Sequence, residues 1–231
     1  AYAKTVNARN QKNSYKAHTF KYIRTIVSFV KSQAIAMDFM QKLIEKMSLL
    51  KVKGEIKDQK PIPLTKDEWE KLYKNAEGFE KALILVMLNG GFHLGEALKL
   101  KWSEIKDGAI VTNRTKQKQV IRAFYLWEET KQALAAIKNK TDYLFISKTG
   151  TKFSKQGADK RWWDLCKKAG LDLQAKQLRY SAASAMINAN ISADQRKTLL
   201  GHSHETEDYY IQLKPDATKP AVEAIHKYYF E

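Results

Sequence analysis

The chain has 231 residues, of which 44% are apolar, and a formal net charge of +16 at pH 7. This length and apolar share suffice for a hydrophobic core, and no apolar run approaches the roughly 20 residues of a membrane-spanning helix. So large a positive charge indicates a polyanionic partner, nucleic acid first; the alternatives are acidic lipid headgroups or a generally basic proteome. The single cysteine, Cys166, excludes an internal disulfide and is compatible with a reducing cytoplasm. The first residues are polar and basic, and we expect no secretory signal.

The N-terminal part of the chain is rich in lysine and arginine. Apolar residues recur at helical spacing over residues 14–36, and a second helix is predicted over residues 38–50. Two helices form too small a core for an independent domain, so residues 1–52 are predicted to be the C-terminal part of a helical DNA-binding domain. Each cation taken alone is also compatible with a solvated helix face. Those we expect to contact the DNA backbone are Lys16, Lys21, Arg24 and Lys31.

A linker is predicted over residues 53–63, and one domain over residues 64–231. The linker contains Gly54, Pro61 and Pro63 and has no periodicity. Thr65 and Glu68 form a capping box that predicts the start of a helix. The fold class is mostly α with a small β-hairpin or sheet (α+β). The later predicted elements are helices over 79–88, 94–100, 128–138, 155–169, 179–190, 192–199 and 222–230, with strands over 109–112, 120–126 and 143–146.

Four short motifs follow one another in the second half of the chain. Residues 91–98 read GFHLGEAL and are followed by LKWSEI, residues 115–116 read TK, residues 176–180 read KQLRY, and residues 199–203 read LLGHS, with YYIQL at 209–213. Their order and spacing resemble the catalytic domain of the tyrosine recombinase (phage integrase) family. The resemblance covers about residues 61–213, and residues 14–50 look like the end of that family's core-binding domain. His93 stands where the family has its first catalytic arginine, and Lys176 where it usually has histidine.

The resemblance implies strand exchange on duplex DNA through a 3′-phosphotyrosyl link, without a metal or cofactor. Attack on a phosphodiester adds negative charge in the transition state, so fixed cations are the main catalytic resource. Arg179 would bind two phosphate oxygens with its planar fork, and His202 would donate a further hydrogen bond. Lys176 would accept the nucleophile's proton or only add positive charge.

The general acid and the nucleophile are implied by the same resemblance. Lys116, in the predicted hairpin turn, would protonate the departing 5′ oxygen, and the nearby Arg114 and Lys118 are predicted DNA contacts that compete with it for this role. Tyr210 lies eight residues after His202 and Tyr209 seven, where the family usually leaves about nine. Tyr210 is preferred because YIQL resembles the Tyr-x-x-Leu of the family.

His93 is the point at which the chain departs from the family's chemistry. An imidazole cannot offer a bidentate fork, and the loss of one such cation typically costs ~10²–10³ in rate. The leading hypothesis is a site-specific recombinase or integrase that binds duplex DNA as a homotetramer. The same hypothesis includes no membrane contact and allows an accessory DNA-bending protein as a further partner. The alternatives are a catalytically silent DNA-binding regulator or architectural protein on the same fold, and an unrelated basic helical protein. We expect a cytoplasmic protein, nucleoid-associated if bacterial or archaeal.

The predicted C-terminal helix over residues 222–230 allows two arrangements. The resemblance implies that it docks onto a neighbouring subunit, whereas its apolar spacing is equally typical of a helix packed on its own domain.

Overall fold

The computed structural model describes residues 21–26, 28, 62–113, 121–202 and 214–231. The chain divides into two units, Ala1–Lys60 and Pro61–Glu231. In the first unit, residues 21–26 and 28 are helical, which confirms that part of the helix predicted over 14–36. Lys21 and Arg24 are exposed there. Lys16, Lys31 and the helix predicted over 38–50 lie outside the described residues. The domain boundaries after residues 52 and 63 remain predictions.

The described part of the second unit is helical apart from one small antiparallel sheet, so the predicted fold class is confirmed. Two 3₁₀ helices, Trp102–Glu104 and Pro215–Thr218, supplement the regular elements. The α-helices are α1 (Lys66–Asn75), α2 (Gly78–Gly90), α3 (Leu94–Ala97), α4 (Glu128–Ala136), α5 (Lys155–Ala169), α6 (Lys176–Asn188), α7 (Ala193–Leu200) and α8 (Lys219–Phe230), and the strands are β1 (Ile105–Lys106), β2 (Ala109–Asn113) and β3 (Ile121–Tyr125).

The capping box at the start of α1 is present as predicted. The Thr65 hydroxyl accepts a hydrogen bond from the Glu68 amide at 3.2 Å, and the Glu68 carboxylate accepts one from the Thr65 amide at 2.9 Å. Two amides that the first helical turn would leave without partners are thereby satisfied. α1 therefore begins where the local sequence places it.

The central element of the core is α2, in which all residues from Ala82 to Gly90 are buried. It packs against α4, α6 and α8. Gly91 caps the end of the helix, and its φ of 60° is in the left-handed region that favours glycine. A Cβ at Gly91 would lie 2.7 Å from Leu200, and one at Gly90 would lie 2.5 Å from the Phe124 ring. The C-terminus of α2 is therefore pressed against both β3 and the end of α7.

The sheet has three strands where the sequence predicted a two-stranded hairpin. β2 pairs with β3 in the register Ile110↔Phe124, and β1 adds to the other edge of β2. The turn between β1 and β2 is Asp107-Gly108, both with positive φ. This dipeptide favours a two-residue hairpin turn, and the prediction missed it.

Several other predicted elements differ from the structure in kind or extent, among them the C-terminal helix predicted from residue 222, which begins at Lys219. The strand predicted over 143–146 is two isolated bridges, Lys101↔Tyr143 and Ile146↔Lys152, because its backbone bonds to several separate segments. The helix predicted over 94–100 ends at Ala97 and continues as tight turns. The helix predicted from residue 179 begins earlier, at Lys176. In the parts of the chain that the structure describes, no helix is both long and apolar enough to cross a membrane.

The C-terminal helix α8 packs onto its own domain. Ala221, Val222, Ile225 and Tyr229 are buried on one face. The Trp127 indole N–H donates to the Val222 carbonyl at 3.1 Å, and the Tyr229 hydroxyl donates to a distant carbonyl at 3.0 Å, that of Leu64. Of the two arrangements predicted for this helix, the structure has the one within a single chain.

Candidate active site

The ends of three helices converge around the guanidinium of Arg179. Arg179 lies in the first turn of α6 and is 5% exposed. Its Nη1 donates to the Gly91 carbonyl at 2.7 Å and its Nη2 to the Leu200 carbonyl at 2.9 Å. Carbonyls at helix C-termini carry partial negative charge and favour a cation there. The side chain is thus fixed between the ends of α2 and α7.

His202 lies beside Arg179. Gly201 ends α7 with a φ of 65°, and the His202 amide donates to the Lys197 carbonyl at 2.8 Å. This left-handed cap turns the chain so that His202 Nε2 lies 3.0 Å from Arg179 Nη2. His202 is exposed, so a surface imidazole lies within hydrogen-bond distance of the buried Arg179 guanidinium.

His93 reaches the same cluster through Glu96. It is the N-cap residue of α3, and its amide donates to Glu96 Oε2 at 3.1 Å. That oxygen lies 3.8 Å from Arg179 Nη1. Burial by itself raises the pKa of the Glu96 carboxyl, but the hydrogen bond from the His93 amide and the charges of Arg122 and Arg179 lower it by more. The pKa of Glu96 therefore lies below its ordinary value, and the carboxylate is a fixed anion between cations.

Lys176 and His93 line one groove, of about 350 Å³, which also contains the half-exposed Trp163. Lys176 is the first residue of α6 and is exposed. A second groove, of about 680 Å³, begins at His93 and is lined by three lysines that suit an anionic ligand: Lys99, Lys152 and Lys155.

The structure therefore brings together four of the predicted site residues: Arg179, His202, His93 and Lys176. The other candidates lie outside the described residues: Tyr210, Tyr209, Lys116, Arg114 and Lys118.

The described residues that follow Tyr209 and Tyr210 in the chain are hydrogen-bonded to β3. The Thr218 hydroxyl donates to the Ala123 carbonyl at 2.6 Å, and the Tyr125 hydroxyl donates to Asp216 Oδ1 at 3.2 Å. The bond to Asp216 is the main reason that the pKa of Tyr125 is raised. Residues 203–213 therefore join His202 to a stretch of chain that is anchored on β3.

Arg122 is a site neighbour that the sequence interpretation missed. It lies on β3, is 1% exposed, and donates from Nε to the Leu199 carbonyl at 2.9 Å and from Nη2 to the Gly90 carbonyl. Its Nη1 lies 3.7 Å from Glu96 Oε2, and its guanidinium lies 3.8 Å from the centre of the Phe92 ring. The sequence did carry a signal for Arg122, since it is the single charged residue in the strand sequence IRAFYL. A buried charge is almost always paired, so a partner for it could have been expected.

Comparison with known proteins begins at the level of sequence. The model of the phage integrase family matches residues 63–215. Tyrosine recombinase XerA of Pyrococcus horikoshii is 30% identical over 178 residues, which cover 72% of this chain and 61% of that protein. The chain thus spans about three fifths of the length of this curated relative.

Solved structures share the fold. The integrase of the Tn1549 transposon, in complex with circular intermediate DNA, has a TM-score of 0.62 at 15% identity, covering 94% of this chain and 80% of that one. A lambda integrase from a tetramer bound to a Holliday junction has a TM-score of 0.55 at 19% identity, covering 81% and 65%. These matches, with the family match, exclude an unrelated helical protein.

Proposed function

The chain belongs to the phage integrase family of tyrosine recombinases, which are DNA strand transferases, and on this basis we propose that it is a site-specific recombinase or integrase that cleaves and rejoins duplex DNA. The observation that carries the proposal is the Arg179 guanidinium, fixed between the carbonyls of Gly91 and Leu200 and 3.0 Å from His202. Such a cation, rigid before the substrate arrives, stabilises a phosphoryl transition state without reorganisation.

The proposed reaction exchanges one phosphodiester for another. The Tyr210 hydroxyl oxygen attacks the scissile phosphorus, so that a 3′-phosphotyrosyl bond forms and the bond from phosphorus to the 5′ oxygen breaks. Lys116 protonates the departing 5′ oxygen, and the tyrosine proton passes to Lys176 or, where Lys176 only contributes charge, to water. A 5′ hydroxyl of the partner strand reverses the step and releases the tyrosine, so that no external energy source is needed.

Arg179 and His202 are proposed to bind the nonbridging oxygens. A guanidinium has five N–H donors in a planar fork, so anchoring by backbone carbonyls is compatible with binding phosphate. His93, at the shared edge of the two grooves, would face the same phosphate with one imidazole in place of a fork.

Duplex DNA is the proposed partner, bound by a homotetramer. The net charge of +16, the exposed Lys21 and Arg24, and the three lysines of the larger groove support it. The bound DNA of the Tn1549 integrase and the tetrameric state of the lambda integrase are properties of those proteins that motivate the proposal. An accessory DNA-bending protein and a cytoplasmic, nucleoid-associated location belong to the same proposal.

Covalent trapping tests the chemistry. A nicked duplex from the flank of the element that encodes the protein is incubated with the protein, and a denaturant-resistant adduct is scored. We expect an adduct that Tyr210→Phe abolishes and the matched Tyr209→Phe leaves in place. Binding to the same duplex should weaken roughly 10³-fold between 50 and 200 mM salt, since cations are released from several phosphates. An adduct insensitive to both substitutions would contradict the proposed nucleophile.

A second candidate function is a catalytically silent DNA-binding protein on the same fold. His93 favours it, because that position lacks the fork which the family uses. His93→Arg separates the two functions: the recombinase should form adduct roughly 10²-fold faster with arginine there. Salt-sensitive binding with no adduct, even in His93→Arg, would establish the silent protein instead.

A further inference from the structure

We propose that Arg122 is a positioning residue of this site: it does not touch DNA, but holds Glu96 and the ends of α2 and α7 so that Arg179 meets the scissile phosphate. The assignment deepens the proposed recombinase function and rests on it. Arg122 is 1% exposed, so contact with a DNA phosphate is excluded in the described conformation.

The two arginines make the same pair of backbone contacts, displaced by one residue. Arg179 bridges the carbonyls of Gly91 and Leu200. Arg122 bridges the preceding two carbonyls, those of Gly90 and Leu199. Both therefore join the C-terminus of α2 to that of α7, and a shift of either helix end displaces the acceptors of both guanidiniums.

The two arginines also share one carboxylate. Glu96 Oε2 lies 3.7 Å from Arg122 Nη1 and 3.8 Å from Arg179 Nη1. Among the described residues, two cations lie next to one anion, and this excess of positive charge in a buried site suits an incoming phosphate. Arg122 offsets the charge of Glu96 and favours its ionised form, and the ionised carboxylate helps to hold the Arg179 guanidinium in place.

Each of these contacts of Arg122 is to Glu96 or to a neighbour in sequence of a site residue. Gly90 and Leu199 precede the two carbonyls that hold Arg179, and Phe92, whose ring lies 3.8 Å from the Arg122 guanidinium, precedes His93. The geometry thus connects β3, which leads from the predicted hairpin of Lys116, to the cations of the site.

The variants Arg122→Lys and Arg122→Met test the proposal, with Arg161→Met as the matched control. Arg161 has the same two kinds of contact, an ion pair to Glu80 at 2.8 Å and packing on the Phe79 ring at 4.7 Å. The rate of single-turnover adduct formation is measured against pH, at a temperature at which circular dichroism shows each variant fully folded.

The two variants distinguish the contribution of the positive charge of Arg122 from that of its planar guanidinium. Arg122→Lys keeps the charge but loses the two-carbonyl bridge, so we expect the rate to fall roughly tenfold with an unchanged acidic limb. Arg122→Met should fall roughly 10²-fold, and its acidic limb should move to higher pH. The direction follows from the charge of Arg122, which lowers the pKa of Glu96: without it the carboxyl takes up its proton at a higher pH. Wild-type rates in folded Arg122→Lys and Arg122→Met, or an unmoved acidic limb in Arg122→Met, would overturn the proposal.

A readout without chemistry distinguishes failure of this proposal from failure of the proposed function. Protein labelled with [5-¹³C]glutamate is titrated by NMR, with Glu96 assigned from the signal lost in Glu96→Gln. The pH at the midpoint of the Glu96 titration should be higher in Arg122→Met than in the wild type and in Arg161→Met. If no variant forms an adduct and the midpoint still moves, the recombinase function fails and the coupling of Arg122 to Glu96 stands. An unmoved midpoint rejects the coupling. If Arg122→Met does not fold, the rate of Arg122→Lys decides alone.

Discussion

Replacing Ile225 with alanine tests whether α8 stabilises the chain that carries it. Ile225 is 0% exposed and lies on the buried face of the C-terminal helix. The substitution removes buried methyl and methylene groups and leaves a cavity, which typically costs about 2–5 kcal/mol. For a unit of this size, each kcal/mol lowers Tm by about 2–4 °C, so we expect Tm to fall by about 10 °C.

Thermal unfolding followed by circular dichroism, without DNA and at two protein concentrations, is the assay. Lys227→Ala is the matched control, because Lys227 lies on the same helix with its side chain exposed. It should change stability by less than about 0.5 kcal/mol. Packing within one chain predicts that the effect of Ile225→Ala does not depend on protein concentration.

The opposite arrangement gives a different result. If the apolar face of α8 were buried against a neighbouring subunit, Tm would depend on protein concentration and Ile225→Ala would act on assembly alone. An unchanged Tm in Ile225→Ala at low concentration would refute the packing described for Ile225, Val222 and Tyr229.

Three further substitutions or treatments have expected outcomes. Thr65→Ala removes the capping box of α1 and should cost about 1 kcal/mol in urea unfolding, whereas Thr65→Ser should cost little; equal losses would contradict the cap. Thr218→Val leaves the Ala123 carbonyl without its 2.6 Å donor inside the protein and should cost about 1–3 kcal/mol, against almost no loss for Thr149→Val in an exposed loop. Burial raises the pKa of the Cys166 thiol to about 11, so the thiol is neutral at pH 8 and should react with a disulfide reagent there only after unfolding; prompt reaction of the folded protein would contradict this.

The elements that the sequence predicted well are those specified by neighbouring residues. The capping box at Thr65 lies within four residues, and α5 has the predicted bounds, with Ser154 as N-cap and Gly170 as left-handed C-cap. Apolar periodicity located β2 and β3 for the same reason. Each motif is likewise a run of neighbouring residues, and the motifs in their order were enough to predict the family.

The elements that were predicted wrongly depend on partners distant in the chain or on a turn signal that the prediction overlooked. Tyr143 and Ile146 bond to two different segments, so their extended residues form bridges and no strand. Asp107-Gly108 was a readable hairpin signal that the two-strand interpretation passed over.

The cluster around Arg179 shows the limit most clearly. The motif identified Arg179, but its acceptors are the carbonyls of Gly91, 88 residues away, and Leu200, 21 residues away. Arg122 belongs to no motif, and its role emerges only when β3 packs between two helix ends. Backbone carbonyls leave no trace in side-chain patterns, so the anchoring of the site had to come from the fold.

Mapping of the covalent adduct by tandem mass spectrometry tests the central claim most directly. The protein is trapped on nicked duplex, digested, and fragmented so that Tyr209 and Tyr210 are resolved. The proposed mechanism predicts a 3′-phosphonucleotide on the Tyr210 oxygen, in the wild type or, if histidine slows the step, in His93→Arg. A nucleotide on another residue would contradict the assigned nucleophile, and the absence of any adduct in both proteins would contradict strand transfer itself.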